Sequence, residues 1–381
     1  MVVSAGLNGV FGLSPALRDV LRPLAGRLRA TLGITGIAAR LAGMEAALAR
    51  LEPAPLATGP AFAALHLPDG TPYALSVDHA DAADVYQRGI ALGYTADMGW
   101  RLLMQWLRPG DVFFDLGANV GVYSIPAAMR GAVVHGFELL DANIRHFVRS
   151  VERNELAGVR ITLGAVWDRP GCVGFKGYSA WGEVVPDSLV SAATIVIDDY
   201  VAQKAIARVD AMKIDVEGSE RRALAGMAGL LARDHPDILI ESNALTCGFA
   251  GYACQDMLGM LADAGYALYR LHDDRLCPWP ADAVQEIVCA DYFASTGTVE
   301  AIAARSGWAV APMTTDETIA SVLAQDGDSQ HHSIHAMIAV GRMPAGIADD
   351  PRVAAMVAKW RDIPAGWDRT PLYVGLGLAP A

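Results

Sequence analysis

Cysteine is scarce in this sequence, and its arrangement does not suit metal binding. There are 5 cysteines in 381 residues, and none belongs to a Cys-x-x-Cys pair. Structural zinc sites usually draw on such pairs, so the sequence predicts no metal site of this kind. An odd, scattered set also does not suggest a disulfide framework. Reduced thiols, as in a cytosolic protein, are therefore expected.

Long apolar runs and positive charge are also lacking. No stretch reaches the roughly 18 apolar residues that a transmembrane helix needs, so none is predicted. Arg18 and Arg22 interrupt the N-terminal region too early for a signal peptide, and a cytoplasmic location is expected. The net charge of −12 argues against nucleic-acid binding, which depends on neutralising phosphates.

What the sequence does contain is an apolar strand that ends on an acid and continues into a glycine turn. Segment 111–121, DVFFDLGANVG, places Asp115 at the strand end and Gly117 and Gly121 in the turn. We expect the glycines to let the backbone approach a ligand closely. The acid suits a cationic ligand with free hydroxyls better than a pyrophosphate. The Gly-x-Gly-x-x-Gly fingerprint of nicotinamide dehydrogenases is absent.

Two later strands also end on acids. Glu138 follows an apolar run and comes 23 positions after Asp115, close to the spacing at which an acid holds ribose hydroxyls in a βαβ unit. Asp215 and Glu217 follow the run 211–214. Because parallel sheets bind ligands at the carboxyl ends of their strands, these acids are predicted to line one edge.

In this order and spacing, five segments resemble the FkbM-type methyltransferases: FFDLGANVG, GFELLDANIRHFVRSVERN, TIVIDDYV, MKIDVEGSERRALAG and PDILIES. The resemblance covers about residues 90–295. It implies S-adenosylmethionine (SAM) as methyl donor, S-adenosylhomocysteine as product and, in most members, a hydroxyl acceptor. It also implies an α/β fold, namely a doubly wound, Rossmann-like sheet of seven mostly parallel strands whose last strand is antiparallel.

The alternation of strand and helix patterns gives a predicted domain organisation. Its parts are a helical N-terminal extension (1–58), a hairpin and helix leading into the core (59–108), the SAM-binding domain (109–296) and an irregular C-terminal extension (297–381). The N-terminal helices have short heptad-like apolar faces, which predicts packing on the domain or on a second subunit in a homo-oligomer. A basic surface that contacts a membrane or glycan is the alternative. Helices are expected over 141–154, 219–232, 317–324 and 351–361, and an irregular insertion over 167–192.

The resemblance also implies the cofactor contacts. The turn would hold the methionine part and sugar of SAM, Glu138 the ribose hydroxyls, Leu139 would pack beside the adenine, and Ala165 and Val166 would frame it. The turn residues in this set are Asp115, Gly117, Ala118, Asn119 and Gly121.

The catalytic residues remain open at this point. Asp215 or Glu217 could take a proton from a hydroxyl, with Lys213 stabilising the oxyanion, and His272 could reach the acceptor. Alternatively, Lys213 and Glu217 form a structural ion pair. No metal is predicted, although oxygen ligands from Asp215, Glu241 and Asn243 could suit Mg²⁺. His331 and His335 are expected in a surface loop.

These observations predict a SAM-dependent O-methyltransferase. A small-molecule acceptor is expected, either a sugar or glycan or a polyketide-type natural product. One alternative is a non-catalytic SAM-binding or scaffold subunit of a biosynthetic assembly, and a weaker one is a nicotinamide-dependent oxidoreductase.

Overall fold

A computed structural model describes residues 61–77, 97–178, 181–184, 188–327, 330–361 and 368–378. The chain divides into two compact units, 1–59 and 60–381, and every described residue belongs to the second. The predicted N-terminal helices, and the subunit contacts expected of them, lie outside the described residues. The domain boundaries at 58, 108 and 296 stay predictions.

The described strands are, in chain order, β1 (Ala61–His66), β2 (Pro72–Val77), β3 (Val112–Leu116), β4 (Val133–Glu138), β5 (Val159–Leu163), β6 (Ala165–Val166), β7 (Cys172–Tyr178), β8 (Trp181–Val184), β9 (Ser191–Ile195), β10 (Ala211–Ile214), β11 (Asp237–Asn243), β12 (Ala267–His272), β13 (Arg275–Pro278), β14 (Cys289–Ser295) and β15 (Ala309–Val310).

The described helices are α1 (Met98–Trp106), α2 (Ser124–Met129), α3 (Asp141–Arg153), α4 (Ile197–Gln203), α5 (Glu220–Ala225), α6 (Ala228–Asp234), α7 (Ala244–Phe249), α8 (Cys254–Asp263), α9 (Val299–Ser306), α10 (Thr315–Leu323), α11 (Gln330–Val340), α12 (Ala345–Ala348), α13 (Pro351–Lys359) and α14 (Thr370–Gly375). Within this part of the chain, no helix combines the length and apolarity needed to cross a bilayer.

A nine-stranded sheet forms the centre of the second unit, in the order β15-β13-β12-β14-β11-β10-β3-β4-β5. Strands β11, β10, β3, β4 and β5 are parallel to their neighbours within this run, whereas β14 is antiparallel to both β11 and β12. The seven predicted strands and the antiparallel last strand are confirmed. Strands β13 and β15 extend the edge beyond β12.

The central strand β3 is apolar because both of its faces are covered. Phe113 and Phe114 point to opposite faces, as alternation along a strand requires, and each belongs to a different hydrophobic core cluster. Both side chains are fully buried, and each such burial stabilises the fold by about 2–3 kcal/mol. A strand that is buried on both faces usually has a nearly continuous run of apolar residues. This is why the segment could be predicted as a strand from the sequence.

Two expectations about irregular segments were wrong. The insertion 167–192 contains the strands β7 and β8, which join a small sheet of order β6-β9-β7-β8. The C-terminal extension has the two expected helices, as α10 and α13, but the rest of it is also largely helical, from α9 to α14. Short amphipathic pieces of this kind have too few residues for a clear period, and contacts with distant parts of the chain stabilise them.

The predicted surface loop around His331 and His335 was also wrong. Both residues belong to α11, and the His335 side chain is fully buried. Its Nε2 lies 3.0 Å from the carbonyl oxygen of Gln285, and burial lowers the His335 pKa to about 4. His335 is therefore a neutral residue of the interior.

Candidate active site

A cavity of about 280 Å³ opens at the carboxyl ends of β3, β4 and β10. The parallel arrangement of these strands brings their ends to one edge, where ligands bind in doubly wound sheets. Of the predicted cofactor residues, those that line the cavity are Gly117, Ala118, Asn119, Glu138, Leu139, Ala165 and Val166. The predicted catalytic residues Lys213, Asp215 and Glu217 line the same cavity.

The glycines of the turn are needed for packing and backbone conformation. Gly117 has φ +81°, and a Cβ there would lie 1.8 Å from the backbone oxygen of Asp215. Gly121 has φ +92°, and its Cβ would lie 2.6 Å from the Phe147 ring. The glycines were expected to let the backbone approach a ligand closely. In the structure, the groups that an added Cβ would meet are the protein's own atoms. Gly121 is not among the residues that line the cavity.

Asp115 lies beneath the cavity and not on its surface. Its side chain is fully buried, and Oδ2 accepts a hydrogen bond of 2.6 Å from the Ser124 hydroxyl. The other oxygen, Oδ1, is buried and has no hydrogen-bond partner within the described part of the chain. Burial raises the pKa of this carboxyl, although the Lys213 ammonium opposes the effect. Asp115 thus supports the turn and is not among the residues that line the cavity, so its direct contact with a cofactor stays a prediction.

Glu138 faces the cavity and organises its rim. One carboxylate oxygen accepts from the backbone N–H of Asn119 and the other from that of Leu140, both at 2.7 Å. The Asn143 side chain also hydrogen-bonds this carboxylate. Burial raises the pKa of Glu138, although these hydrogen bonds lower it. This arrangement suits a pair of adjacent ligand hydroxyls.

Lys213 is the cation of the site and is 7% exposed. Its ammonium donates to Asp215 Oδ2 at 2.9 Å and to the Gly117 carbonyl at 3.1 Å. It also lies 5.3 Å from the ring centre of Tyr123. Burial alone would lower the Lys213 pKa, but the carboxylates of Asp215 and Asp115 outweigh it and raise the pKa. Lys213 is therefore charged at neutral pH, and its ion-pair partner is Asp215.

Glu217 lies on the loop that follows Asp215. Its Oε2 is buried without a hydrogen-bond partner among the described residues. Burial raises the Glu217 pKa to about 8, and the neighbouring charges of Asp215 and Glu220 act in the same direction. A carboxyl with this pKa exchanges protons near neutral pH, which is the property that a general base requires.

Sequence reasoning missed the far wall of the cavity, which consists of Asp97, Tyr123 and Asp291. Asp97 caps α1 and accepts from the Tyr123 hydroxyl at 3.0 Å. Asp291 pairs in register with Glu241 across β14 and β11, and burial raises its pKa to about 8. Asp97 directly precedes α1, Tyr123 directly precedes α2 and Asp291 lies on the antiparallel strand β14, so no local motif marked them as one wall.

The carboxylate oxygens of Asp215, Glu217 and Glu241 lie within 4.8 Å of one another. This spacing would suit a divalent cation, but exposed acids often gather without one. The set differs from the one considered for Mg²⁺, because Asn243 is engaged elsewhere. Its side-chain oxygen accepts from the N–H groups of Leu245 and Thr246 at the start of α7.

The structure does not bring His272 to the other predicted catalytic residues. It ends β12, which is separated from β10 by β14 and β11. Its Nε2 lies 3.7 Å from Asp273 Oδ2, and His272 does not line the cavity. Its position at the end of a strand suggested that it could reach the acceptor. That strand, however, is too far along the sheet from β10, which precedes Asp215 and Glu217.

A wider groove of about 1290 Å³ adjoins the cavity and shares Val184, Glu217 and Ser219 with it. Its walls come from α5, α7, α8 and the segment after β6, and they include the aromatic residues Trp167, Phe249 and Tyr252. Phe249 is 61% exposed. Glu217 therefore lies at the boundary between the two spaces.

Residues 115–268 match the family model described as the methyltransferase FkbM domain. A curated relative, the 31-O-demethyl-FK506 methyltransferase FkbM of Streptomyces tacrolimicus, is 30% identical over a match that covers 32% of this chain and 61% of the relative. The matched part of this chain thus spans less than two thirds of that relative's length.

Among solved structures, a methyltransferase FkbM from Methylobacillus flagellatus is 14% identical, with 55% of this chain and 53% of that chain covered and a TM-score of 0.34. A precorrin-6y C5,15-methyltransferase from Geobacter metallireducens is 11% identical, with 58% and 94% covered and a TM-score of 0.34.

Proposed function

We propose that this chain, which carries an FkbM-type methyltransferase domain over residues 115–268, transfers a methyl group from SAM to a hydroxyl oxygen. The observation that carries the proposal is one cavity that joins a hydroxyl-binding carboxylate, Glu138, to a protonatable carboxylate, Glu217. The first suits a nucleoside and the second suits deprotonation of an acceptor.

The residues of the cavity fit SAM in charge and hydrogen bonding. Glu138 presents its carboxylate to the cavity as a hydrogen-bond acceptor for ribose hydroxyls, while backbone N–H groups and the Asn143 side chain hold it in place. Ala165 and Val166 of β6 provide apolar surface for the adenine. Asp215, Glu241 and Asp291 line the remaining wall, and a bound cation would favour the ionised forms of these carboxyls. When bound, SAM supplies an electrophilic methyl group on a sulfonium.

Glu217 is the proposed general base. Asp215 is engaged by the Lys213 ammonium at 2.9 Å, whereas Glu217 Oε2 has no partner among the described residues. An acceptor in the wide groove meets Glu217 at the boundary with the cofactor cavity. Glu217 takes the hydroxyl proton, Lys213 stabilises the developing oxyanion, and Asp215 holds Lys213 in place.

The acceptor is proposed to be a hydroxyl-bearing natural product of polyketide type, with a sugar or glycan as the other candidate. The groove is large and presents Trp167, Phe249 and Met260, which suits an acceptor with apolar surface. The Streptomyces tacrolimicus relative is a 31-O-demethyl-FK506 methyltransferase by name, which favours an acceptor of that kind. A sugar also packs on aromatic faces, so the acceptor screen includes both classes.

The test is transfer of labelled methyl from SAM to panels of polyketides and sugars. We expect Glu217→Gln to bind SAM with wild-type affinity and to lower kcat by about 10²- to 10⁴-fold, the usual contribution of a general base. Glu152→Gln on the exposed face of α3 is the matched control and should retain full turnover. Wild-type turnover in Glu217→Gln would remove Glu217 as the base.

A further inference from the structure

The backbone of the loop that carries Glu217 is strained. Glu217 has φ 51° and Gly218 has φ 92°. A left-handed backbone is unfavourable for a residue with a side chain, because the Cβ comes too close to the following carbonyl oxygen. At Gly218 a Cβ would also lie 2.8 Å from the backbone oxygen of Thr246 in α7. Such a conformation persists only where the surroundings impose it.

The contact that imposes it comes from Glu220, the first residue of α5. Glu220 is 2% exposed, and its Oε1 accepts from the N–H groups of Val216 at 2.9 Å and Gly218 at 3.2 Å. These two N–H groups belong to the residues directly before and after Glu217 in the sequence. One buried carboxylate oxygen therefore fixes the loop before and after the proposed base.

The second oxygen of Glu220 is also held. Its Oε2 accepts from the hydroxyl of Tyr252 at 2.9 Å, and Tyr252 is 5% exposed in the connection between α7 and α8. Tyr252 also lines the wide groove. The network thus links the groove wall, through Glu220, to the backbone of Glu217.

We propose that Glu220 is a positioning residue that orients the Glu217 carboxylate toward the acceptor, and that Tyr252 holds Glu220 in place. The inference rests on the proposed function for the role of Glu217 as base, whereas the network itself does not depend on it. An ionised carboxylate accepts all three of these hydrogen bonds, whereas the amide of Gln would reverse the one to Tyr252, because its NH2 group donates to the tyrosine hydroxyl.

Glu220 also acts on Glu217 through its charge. Burial is the main cause of the raised Glu217 pKa, and Asp215 and Glu220 raise it further while Lys213 opposes them. Glu241 from β11 contributes a carboxylate oxygen to the same cluster. On the groove side, the charged groups that share the lining with Glu217 are Asp168, Lys176, Arg221, Arg222, Asp256 and Asp263.

A purely structural role for Glu220 is the competing explanation. An acid in the first turn stabilises a helix such as α5 through the helix dipole. Removing it would then lower stability and shift the Glu217 titration only through the lost charge, and Tyr252→Phe, which keeps the Glu220 carboxyl, would leave that titration unchanged. A positioning role predicts that the Glu217 titration also moves in Tyr252→Phe, because the loop geometry changes while the Glu220 carboxyl is retained.

The experiment is carbon-13 NMR of the full chain labelled at glutamate carboxyls, titrated from pH 5 to about 10 (the range that brackets a raised carboxyl pKa). Glu217→Gln assigns the Glu217 signal. In Glu220→Gln we expect the Glu217 midpoint to fall by roughly half a pH unit or more, the size expected on removing a neighbouring carboxylate. Glu152→Gln is the control and should leave the midpoint in place.

Tyr252→Phe keeps the experiment decisive if Glu220→Gln does not fold. It removes the hydroxyl that holds Glu220 and should move the midpoint in the same direction by a smaller amount. A wild-type midpoint in the folded variants would overturn the positioning role. SAM calorimetry on the same samples separates the two proposals, because absent SAM binding in the wild type contradicts the function and leaves the NMR comparison standing.

Discussion

At the residue scale, the site is a group of carboxyls around one ammonium. Lys213 pairs with Asp215 at 2.9 Å, which leaves Glu217 and Asp291 with pKa values of about 8 because they are buried near other acids. Both therefore keep much of their proton at neutral pH. The protonation of these two carboxyls should determine how activity and stability depend on pH.

Stability should fall as pH rises toward 8. The Glu217 pKa is raised from 4.5 to about 8 in the folded protein, so between these values the folded state binds a proton that the unfolded state has released. The free energy of unfolding then decreases with increasing pH. Denaturant unfolding at intervals between pH 5 and 9 measures this slope.

The matched comparison is Glu217→Gln, which cannot titrate and should show a shallower slope over the same range. Glu152→Gln should retain the wild-type slope. Equal slopes in the wild type and Glu217→Gln would show that the Glu217 pKa is not raised.

The acids at the strand ends were predictable from the sequence, but their roles were only partly so. Asp115, Glu138 and Asp215 each follow an apolar run, which located them at one edge of the sheet. The sequence did not reveal that Asp115 is fully covered, because Ser124 and the turn above it cover that carboxylate. Asp97 and Asp291 reach the site through tertiary contacts that no local pattern records.

At the element scale, the strand–turn–helix unit from β3 to α2 determines where the cavity opens. Gly117 lets the turn pack against the end of β10, where a Cβ would lie 1.8 Å from the Asp215 carbonyl oxygen. The same carbonyl precedes the loop that carries Glu217. A change at Gly117 should therefore affect both halves of the site.

Gly117→Ala should lower the free energy of unfolding by about 2 kcal/mol or more and abolish measurable SAM binding, because it combines a strained backbone with a steric clash. Gly110→Ala is the matched control: φ is +91° there, yet nothing lies within 4 Å of the added Cβ. It should cost only about 1 kcal/mol from backbone strain and leave SAM binding intact. Equal losses in both variants would contradict the packing role of Gly117.

The helix boundaries show which sequence patterns allowed an accurate prediction. The long, strongly patterned helix α3 (Asp141–Arg153) was predicted to within one residue at its end. Helix 219–232 was predicted as one piece, but the structure has α5 and α6 with a break at Gly226. A Cβ at Gly226 would lie 2.1 Å from the Trp167 carbonyl oxygen, so a distant contact determines the break.

At the scale of the whole second unit, the C-terminal helices complete the side of the sheet that carries the groove. Helix α14 packs against α7 at two glycines: a Cβ at Gly248 would lie 1.6 Å from the Pro371 carbonyl oxygen, and one at Gly375 would lie 1.8 Å from that of Ala244. Leu245 and Phe249 of α7 line the groove. The contact between α7 and α14 therefore stabilises the wall of the groove that is proposed to bind the acceptor.

Gly375→Ala should therefore lower the melting temperature, with a loss of about 1–3 kcal/mol from overpacking. Gly259→Ala in α8 is the control, because nothing lies within 4 Å of its added Cβ. It should stabilise the protein by about 0.5–1 kcal/mol through higher helix propensity. Thermal unfolding measures both variants, and an unchanged melting temperature in Gly375→Ala would contradict the close α7–α14 packing.

The most direct test of the proposed function is calorimetric titration of the 381-residue chain with SAM, S-adenosylhomocysteine and NAD, with and without Mg²⁺. We predict that the two adenosyl ligands bind with micromolar affinity, that NAD does not bind, and that Glu138→Ala abolishes adenosyl binding while the protein stays folded. A folded wild-type protein that binds neither adenosyl ligand would contradict the proposed methyltransferase function.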